Sequence, residues 1–158
     1  MNEQATAGTE EIRDLYRELI LDHARSPRNF GSLSTATHEA EGINPLCGDK
    51  LKLYLQVDDA GGIRNVSFNG TGCAISVASA SLLTEAVVGM QADRALDFFA
   101  AVVASLTGRE DRPGIELGKL TALQGVCDYP SRVKCATLAW HALDAAIRGE
   151  RAPATTES

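Results

Sequence analysis

Cys47 and Asp49 form the first pair of residues in this sequence whose types and spacing suit metal or sulfur chemistry. They fall in INPLCGDKL, a turn that leads into a clear strand pattern. Residues two apart in an extended chain point to the same side, so the thiol and the carboxylate can converge on one ion. Gly48 between them lets the backbone fold closely. The pair alone is a weak signal, since Asp49 is equally explained as a turn residue.

Cys73 and Cys135 each lie near the predicted start of a helix. Cys73 falls in NGTGCAIS, and Cys135 follows Arg132 and Lys134. The positive end of a helix dipole, joined by two cations near Cys135, lowers a thiol pKa toward the reactive thiolate. Alternatives stay open for both segments. A cysteine in an Ala/Ser-rich stretch also serves packing, and Arg132 with Lys134 also fits a solvated helix start.

Three thiolates and one carboxylate suit a tetrahedral zinc ion, which accepts both ligand types. The candidate ligands come from distant segments, unlike the close pairs of a zinc finger, so the fold must assemble the site. Four anionic ligands would leave a divalent ion with a charge of about −2, which Arg132 and Lys134 could offset. Cys127, in LQGVCDYP, is interpreted as a spectator thiol on a loop.

The elements that must position these residues follow from hydrophobic periodicity. Apolar residues at three- and four-residue steps predict a helix over 10–25. Alternation predicts strands within 35–42, 50–57 and 63–68, and helical patterns cover 73–88, 92–106, 115–123 in part, and 130–148. Strands grouped before a run of helices predict an α+β fold, with a small antiparallel three-stranded sheet covered on one face by helices.

Length and composition predict a single domain over residues 10–148 of the 158, between a disordered tail at 1–9 and a flexible tail at 149–158. The net charge of −6 argues against nucleic-acid binding. The chain opens without a secretory pattern and holds no apolar run near the roughly 20 residues that span a bilayer. We therefore expect a cytoplasmic protein without membrane contact, whose cysteines are ligands or reactive thiols. The three histidines are expected to be ordinary core or surface residues rather than site residues: His23, His38 and His141.

Four motifs in order carry a family resemblance: LYRELILDHARSPRNFG, NPLCGDKL, GTGCAIS and RVKCATLAWHAL. Together they resemble the IscU/NifU-like family of iron–sulfur cluster assembly proteins, which implies an α+β fold of the SufE/NifU-like kind. The closer likeness is to SufU-type members of the SUF system. The region 108–125 matches an insertion that these members carry, and Lys134 stands where IscU-type members place a histidine.

The resemblance implies a zinc-dependent sulfurtransferase that works with a SufS-type cysteine desulfurase and with downstream iron–sulfur assembly proteins. Cys47 would accept the sulfane sulfur, and Arg132 matches the family's arginine beside the site. The implied zinc ligands are Cys47, Asp49, Cys73 and Cys135, which leaves Cys127 outside. Two alternatives remain: a scaffold that holds a transient iron–sulfur cluster, and a structural zinc site on an interaction module.

Overall fold

The computed structural model describes residues 2–45, 47–107, 117–126, 129–149 and 154–155. Cys127 and residues 108–116 of the region that resembles an insertion lie outside these ranges. The helices are α1 (Asn2–Arg25), α2 (Ala74–Val87), α3 (Ala92–Leu106), a 3-10 helix (Gly118–Val126) and α4 (Pro130–Arg148). The strands are β1 (His38–Asn44), β2 (Asp49–Val57), β3 (Ile63–Thr71) and β4 (Ala154–Thr155).

Three strands form the antiparallel sheet that the sequence predicts. β2 lies between β1 and β3 and pairs antiparallel with both. The predicted α+β fold is confirmed, with helices α2 and α4 packed on the sheet. Alternation explains which face is covered, because Leu51, Leu53 and Leu55 are buried while Lys50 is exposed.

One helix is longer than predicted, and one short strand was not predicted. Helix α1 begins at Asn2 rather than near residue 10, because residues 2–9 include good helix formers without the apolar face that periodicity detects. The two-residue β4 pairs in parallel with β1, inside the stretch predicted to be a flexible tail. The division into one domain and two tails otherwise stays a prediction.

The core lies between the sheet and the helices. Trp140 of α4 is fully buried, and its ring lies 5.7 Å from that of Phe98 on α3. Its indole N–H donates to Ser79 Oγ of α2 at 3.1 Å, so a polar contact fixes α4 against α2. The helix that carries Cys135 is thereby held firmly over the sheet. None of the helices described is long and apolar enough to span a membrane.

Candidate metal centre

The turn between β1 and β2 places Cys47 and Asp49 at one end of the sheet. Asn44, the last residue of β1, pairs with Asp49, the first residue of β2. Gly48 adopts φ +72°, a left-handed conformation that favours glycine, and so allows the tight reversal. The Cys47 thiol is exposed, whereas Asp49 is only 2% exposed. The turn thus joins an accessible sulfur to a buried carboxylate.

The start of α2 is bound directly to that carboxylate. The backbone N–H of Cys73, the residue that caps α2, donates to Asp49 Oδ1 at 2.9 Å, and the Ser76 hydroxyl donates to Oδ2 at 2.7 Å. A Cβ at Gly72 would lie 3.2 Å from Asp49 Oδ1, so the glycine permits this close approach. Charge-assisted bonds of this kind hold Asp49 firmly in place.

Helix α4 brings the buried Cys135 to the same point. Its Sγ lies 3.7 Å from Cys47 Sγ, and the ligand atoms of Cys47, Asp49 and Cys135 all lie within 4.8 Å of one another. Two thiolates bound tetrahedrally at the usual zinc–sulfur distance lie about 3.8 Å apart. The donor set and its spacing therefore fit a zinc ion.

Cys73, the fourth predicted ligand, lies beside this group rather than within it. Its thiol interacts with that of Cys135 and lies 3.6 Å from Ser76 Oγ. It is half-buried, as expected for a group at the edge of the site. Its role as a ligand stays a prediction.

The two predicted cations lie on the first turns of α4. Arg132 is exposed, and among the described residues its guanidinium makes no hydrogen bond or ion pair with the ligands. Lys134 is half-buried, one residue before Cys135. The catalytic role expected of Arg132 also stays a prediction.

The two helix thiols have pKa values shifted in opposite directions. Burial raises the pKa of Cys73, but hydrogen bonds from the Ser76 backbone and hydroxyl and from Cys135 outweigh it and leave the pKa lowered, as predicted. The prediction of a low pKa for Cys135 is wrong. Burial raises the pKa of that thiol well above its usual range, reinforced by Cys73, Cys47 and the charge of Asp49. A bound cation would counter this effect.

Sequence reasoning missed two polar residues at the site, Ser76 and Asn44. Ser76 lies three residues after Cys73, where a side chain at a helix start can reach back toward the cap. Asn44 directly precedes the Pro-Leu-Cys segment and faces Asp49 across the turn. Both signals were available in the sequence, but neither distinguishes a site residue from an ordinary cap or turn residue.

The family model for the NifU-like N-terminal domain matches residues 15–136, which include all of these positions. The chain belongs to this family. It is 40% identical to the zinc-dependent sulfurtransferase SufU of Bacillus subtilis (strain 168), over 86% of this chain and 91% of that protein. It is 38% identical to the iron–sulfur cluster assembly scaffold protein IscU of Streptococcus pyogenes serotype M1, over 87% of this chain and 86% of that protein.

A solved structure supports the same relationship. The fold matches the crystal structure of FiSufU from Fervidobacterium islandicum AW-1 with a TM-score of 0.76 and 33% sequence identity. The match covers 82% of this chain and 94% of the other. The similarity in fold therefore extends over most of both chains.

Proposed function

We propose that this chain is a zinc-dependent sulfurtransferase that accepts persulfide sulfur from a SufS-type cysteine desulfurase for iron–sulfur cluster assembly. The observation that carries the proposal is the position of Cys47. Its sulfur is exposed at a turn, yet lies 3.7 Å from the buried Cys135 sulfur. A partner enzyme can reach this sulfur while the site holds it in a defined place.

The proposed transfer needs only thiol–disulfide chemistry. The Cys47 thiolate attacks the outer sulfur of the enzyme's persulfide, a new S–S bond forms on Cys47, and the enzyme's cysteine leaves as a thiolate. No external oxidant or reductant is required, because the persulfide itself supplies the oxidised sulfur. An exposed thiol at a turn suits this attack better than a buried thiol such as Cys135.

Zinc held by Cys47, Asp49, Cys73 and Cys135 would keep the Cys47 sulfur deprotonated and protected until the partner arrives. The chain's own residues then have separate tasks. Asp49 is fixed by donors from α2, so it can stay in place when Cys47 moves. Arg132, exposed on the first turn of α4, could steady the released thiolate.

The SufU relative supports sulfur transfer, because that protein is named a zinc-dependent sulfurtransferase. Lys134 also favours sulfur transfer over a scaffold role, because the IscU-type proteins that this chain resembles have a histidine at that position. Lysine is a poor metal ligand while protonated, so a four-ligand cluster site would lack that nitrogen. The desulfurase partner, downstream assembly proteins and the cytoplasmic location all remain part of the proposal.

Desulfurase turnover tests the proposal. We expect the zinc-loaded protein to accelerate release of alanine from cysteine by a SufS-type desulfurase, and Cys47→Ala to abolish that acceleration. Cys127→Ala is the matched control and should retain it. Equal activation by the wild-type protein and Cys47→Ala would refute sulfur acceptance at Cys47. Absence of any activation would favour a structural zinc site on an interaction module.

A scaffold role is the second candidate, favoured by the 38% identity to IscU of Streptococcus pyogenes. Anaerobic reconstitution with iron and sulfide would then give a stable cluster that passes to an acceptor protein. Asp49→Ala should lengthen the lifetime of such a cluster, because a carboxylate is a labile ligand. If neither the wild-type protein nor Asp49→Ala holds a cluster, the scaffold role is excluded.

A further inference from the structure

Asn44 is a fully buried amide at the centre of the candidate site. Its Nδ2 lies 3.4 Å from Asp49 Oδ2 and 3.7 Å from Cys135 Sγ. The amide nitrogen carries two hydrogens, one for each of these neighbours. Asn44 therefore spans the two buried candidate ligands, one from β2 and one from α4.

The orientation of this amide has a physical reason. Asn44 Oδ1 is buried and has no hydrogen-bond partner among the described residues, which carries a desolvation cost. The flipped amide would place that oxygen against the Asp49 carboxylate and the Cys135 sulfur. Repulsion between the oxygen and two anionic ligands would cost more, so the nitrogen faces the site.

A neutral donor can stabilise the anionic ligands in a way that the exposed Arg132 does not in this structure. Four anionic ligands exceed the charge of a divalent ion by about two units. The Arg132 guanidinium makes no bond to the ligands within the described chain. A buried amide can stabilise anions without the desolvation penalty of a buried cation.

We propose that Asn44 is a positioning residue of the metal centre, whose two N–H groups hold Asp49 and Cys135 in metal-binding positions and stabilise them as anions. The inference rests on the zinc site of the proposed function. It does not depend on sulfur transfer. Residues that hold metal ligands in place by hydrogen bonds typically raise the affinity for the metal by about 10- to 100-fold.

Zinc affinity, measured by competition with a chromophoric chelator, tests the inference. Asn44→Ala should bind zinc about 10- to 100-fold more weakly than the wild-type protein. Asn44→Asp should lose at least as much, because a nearly isosteric carboxylate puts a further negative charge beside two anionic ligands. Asn65→Asp is the control. It adds the same charge on β3, opposite Gln56 near the far end of β2, and should stay close to the wild-type affinity.

Cobalt(II) substitution gives a second readout that a purely structural role would not change. Loss of the Asn44 donors should shift the sulfur-to-cobalt charge-transfer bands in variants whose circular dichroism matches the wild-type protein. Asn44→Ser keeps one donor and should bind zinc more tightly than Asn44→Ala, so the comparison remains decisive even if Asn44→Asp does not fold.

Two results would overturn the inference. Wild-type zinc affinity in Asn44→Ala and Asn44→Ser, with only their metal-free stability reduced, would make Asn44 a structural residue. Wild-type or higher affinity in a folded Asn44→Asp would contradict the anion-stabilising role. Both results can be distinguished from a failure of the proposed function, in which the wild-type protein would bind zinc but would not accept sulfur. A wild-type protein that binds no zinc would refute both proposals.

Discussion

The Asp49 carboxylate accepts hydrogen bonds at the start of α2 and also faces the sulfurs of Cys47 and Cys135. One side chain therefore couples the geometry of a helix end to that of the candidate metal centre. Among the described residues, the Ser76 hydroxyl makes the shortest hydrogen bond to this carboxylate, at 2.7 Å from Oδ2. Its loss would leave a buried carboxylate with fewer partners.

We expect Ser76→Ala to weaken zinc binding by about 10-fold, because the Asp49 carboxylate would be less firmly oriented. Chelator competition measures the effect. Ser79→Ala is a matched control on the same helix, since Ser79 bonds Ala136 O and the Trp140 indole instead. That control should lose about 1–3 kcal/mol of stability, with a smaller change in zinc affinity. Equal zinc affinities for Ser76→Ala and the wild-type protein would contradict the role of Ser76.

Residue types and spacing were sufficient to select Cys47, Asp49 and Cys135, which the structure brings together. They were not sufficient to predict the direction in which the pKa of Cys135 is shifted. The helix position of Cys135 predicts a lowered pKa, but the depth of burial and the approach of other anionic groups raise it. Burial and through-space neighbours belong to the folded chain, and neither can be read from local sequence.

At the scale of elements, a buried histidine joins α1 to α2. His23 Nδ1 lies 2.7 Å from Ser81 Oγ, and Nε2 lies 3.6 Å from Glu85 Oε1. Ser81 Oγ also accepts the backbone N–H of Arg28 at 2.8 Å. Burial, followed by the charge of Arg28, lowers the pKa of His23, although Glu85 and Asp22 oppose the shift. The neutral imidazole is therefore the form that the packed helices favour.

Acid should weaken the packing of α1 on α2. The unfolded chain binds a proton on His23 at an ordinary pKa of about 6.5, whereas the folded chain binds it only at lower pH. Stability should therefore be fully present above pH 6.5 and decline as pH falls through the window between the two pKa values. Denaturant unfolding at several pH values measures this decline.

His23→Asn should reduce the acid-dependent loss of stability, since the amide can replace Nδ1 in the bond to Ser81 without titrating. His38→Asn, on the half-buried start of β1, is the control and should keep the loss. An unchanged pH profile in His23→Asn would show that other groups cause it.

Hydrophobic periodicity predicts the strands and most helices because each buries one face. The limits of α3 at Ala92–Leu106 and of α4 at Pro130–Arg148 agree with the prediction. Helix α1 over residues 2–9 and strand β4 are the exceptions. Neither segment carries the apolar pattern on which the prediction relies. The pairing partner of β4 lies more than 100 residues away in sequence.

At the scale of the whole molecule, the candidate centre connects three separate parts of the fold. The β1–β2 turn, the start of α2 and the second turn of α4 meet there. An ion bound by all three would favour the folded chain over the unfolded chain by mass action. The metal is then a link between function and stability, although the hydrophobic core is large enough to form without it.

Zinc removal should lower the thermal stability without unfolding the protein. At a free zinc concentration about 1,000 times the dissociation constant, binding contributes about 4 kcal/mol, which corresponds to a midpoint shift of roughly 10 °C for a chain of this size. Calorimetry with and without a chelator measures the shift. Cys47→Ser is a suitable control, because it removes an exposed ligand with little effect on the core and should show a smaller shift. A zinc-independent midpoint in the wild-type protein would exclude a site that spans these three elements.

The position of transferred sulfur tests the proposed function most directly. The zinc-loaded protein is mixed with a SufS-type desulfurase and isotopically labelled cysteine for a single turnover, then alkylated, digested and analysed by mass spectrometry. We expect one labelled sulfur atom as a persulfide on Cys47, and none on Cys73, Cys127 or Cys135. Label on another cysteine, or no label on Cys47 while the desulfurase itself carries its persulfide, would contradict the proposal.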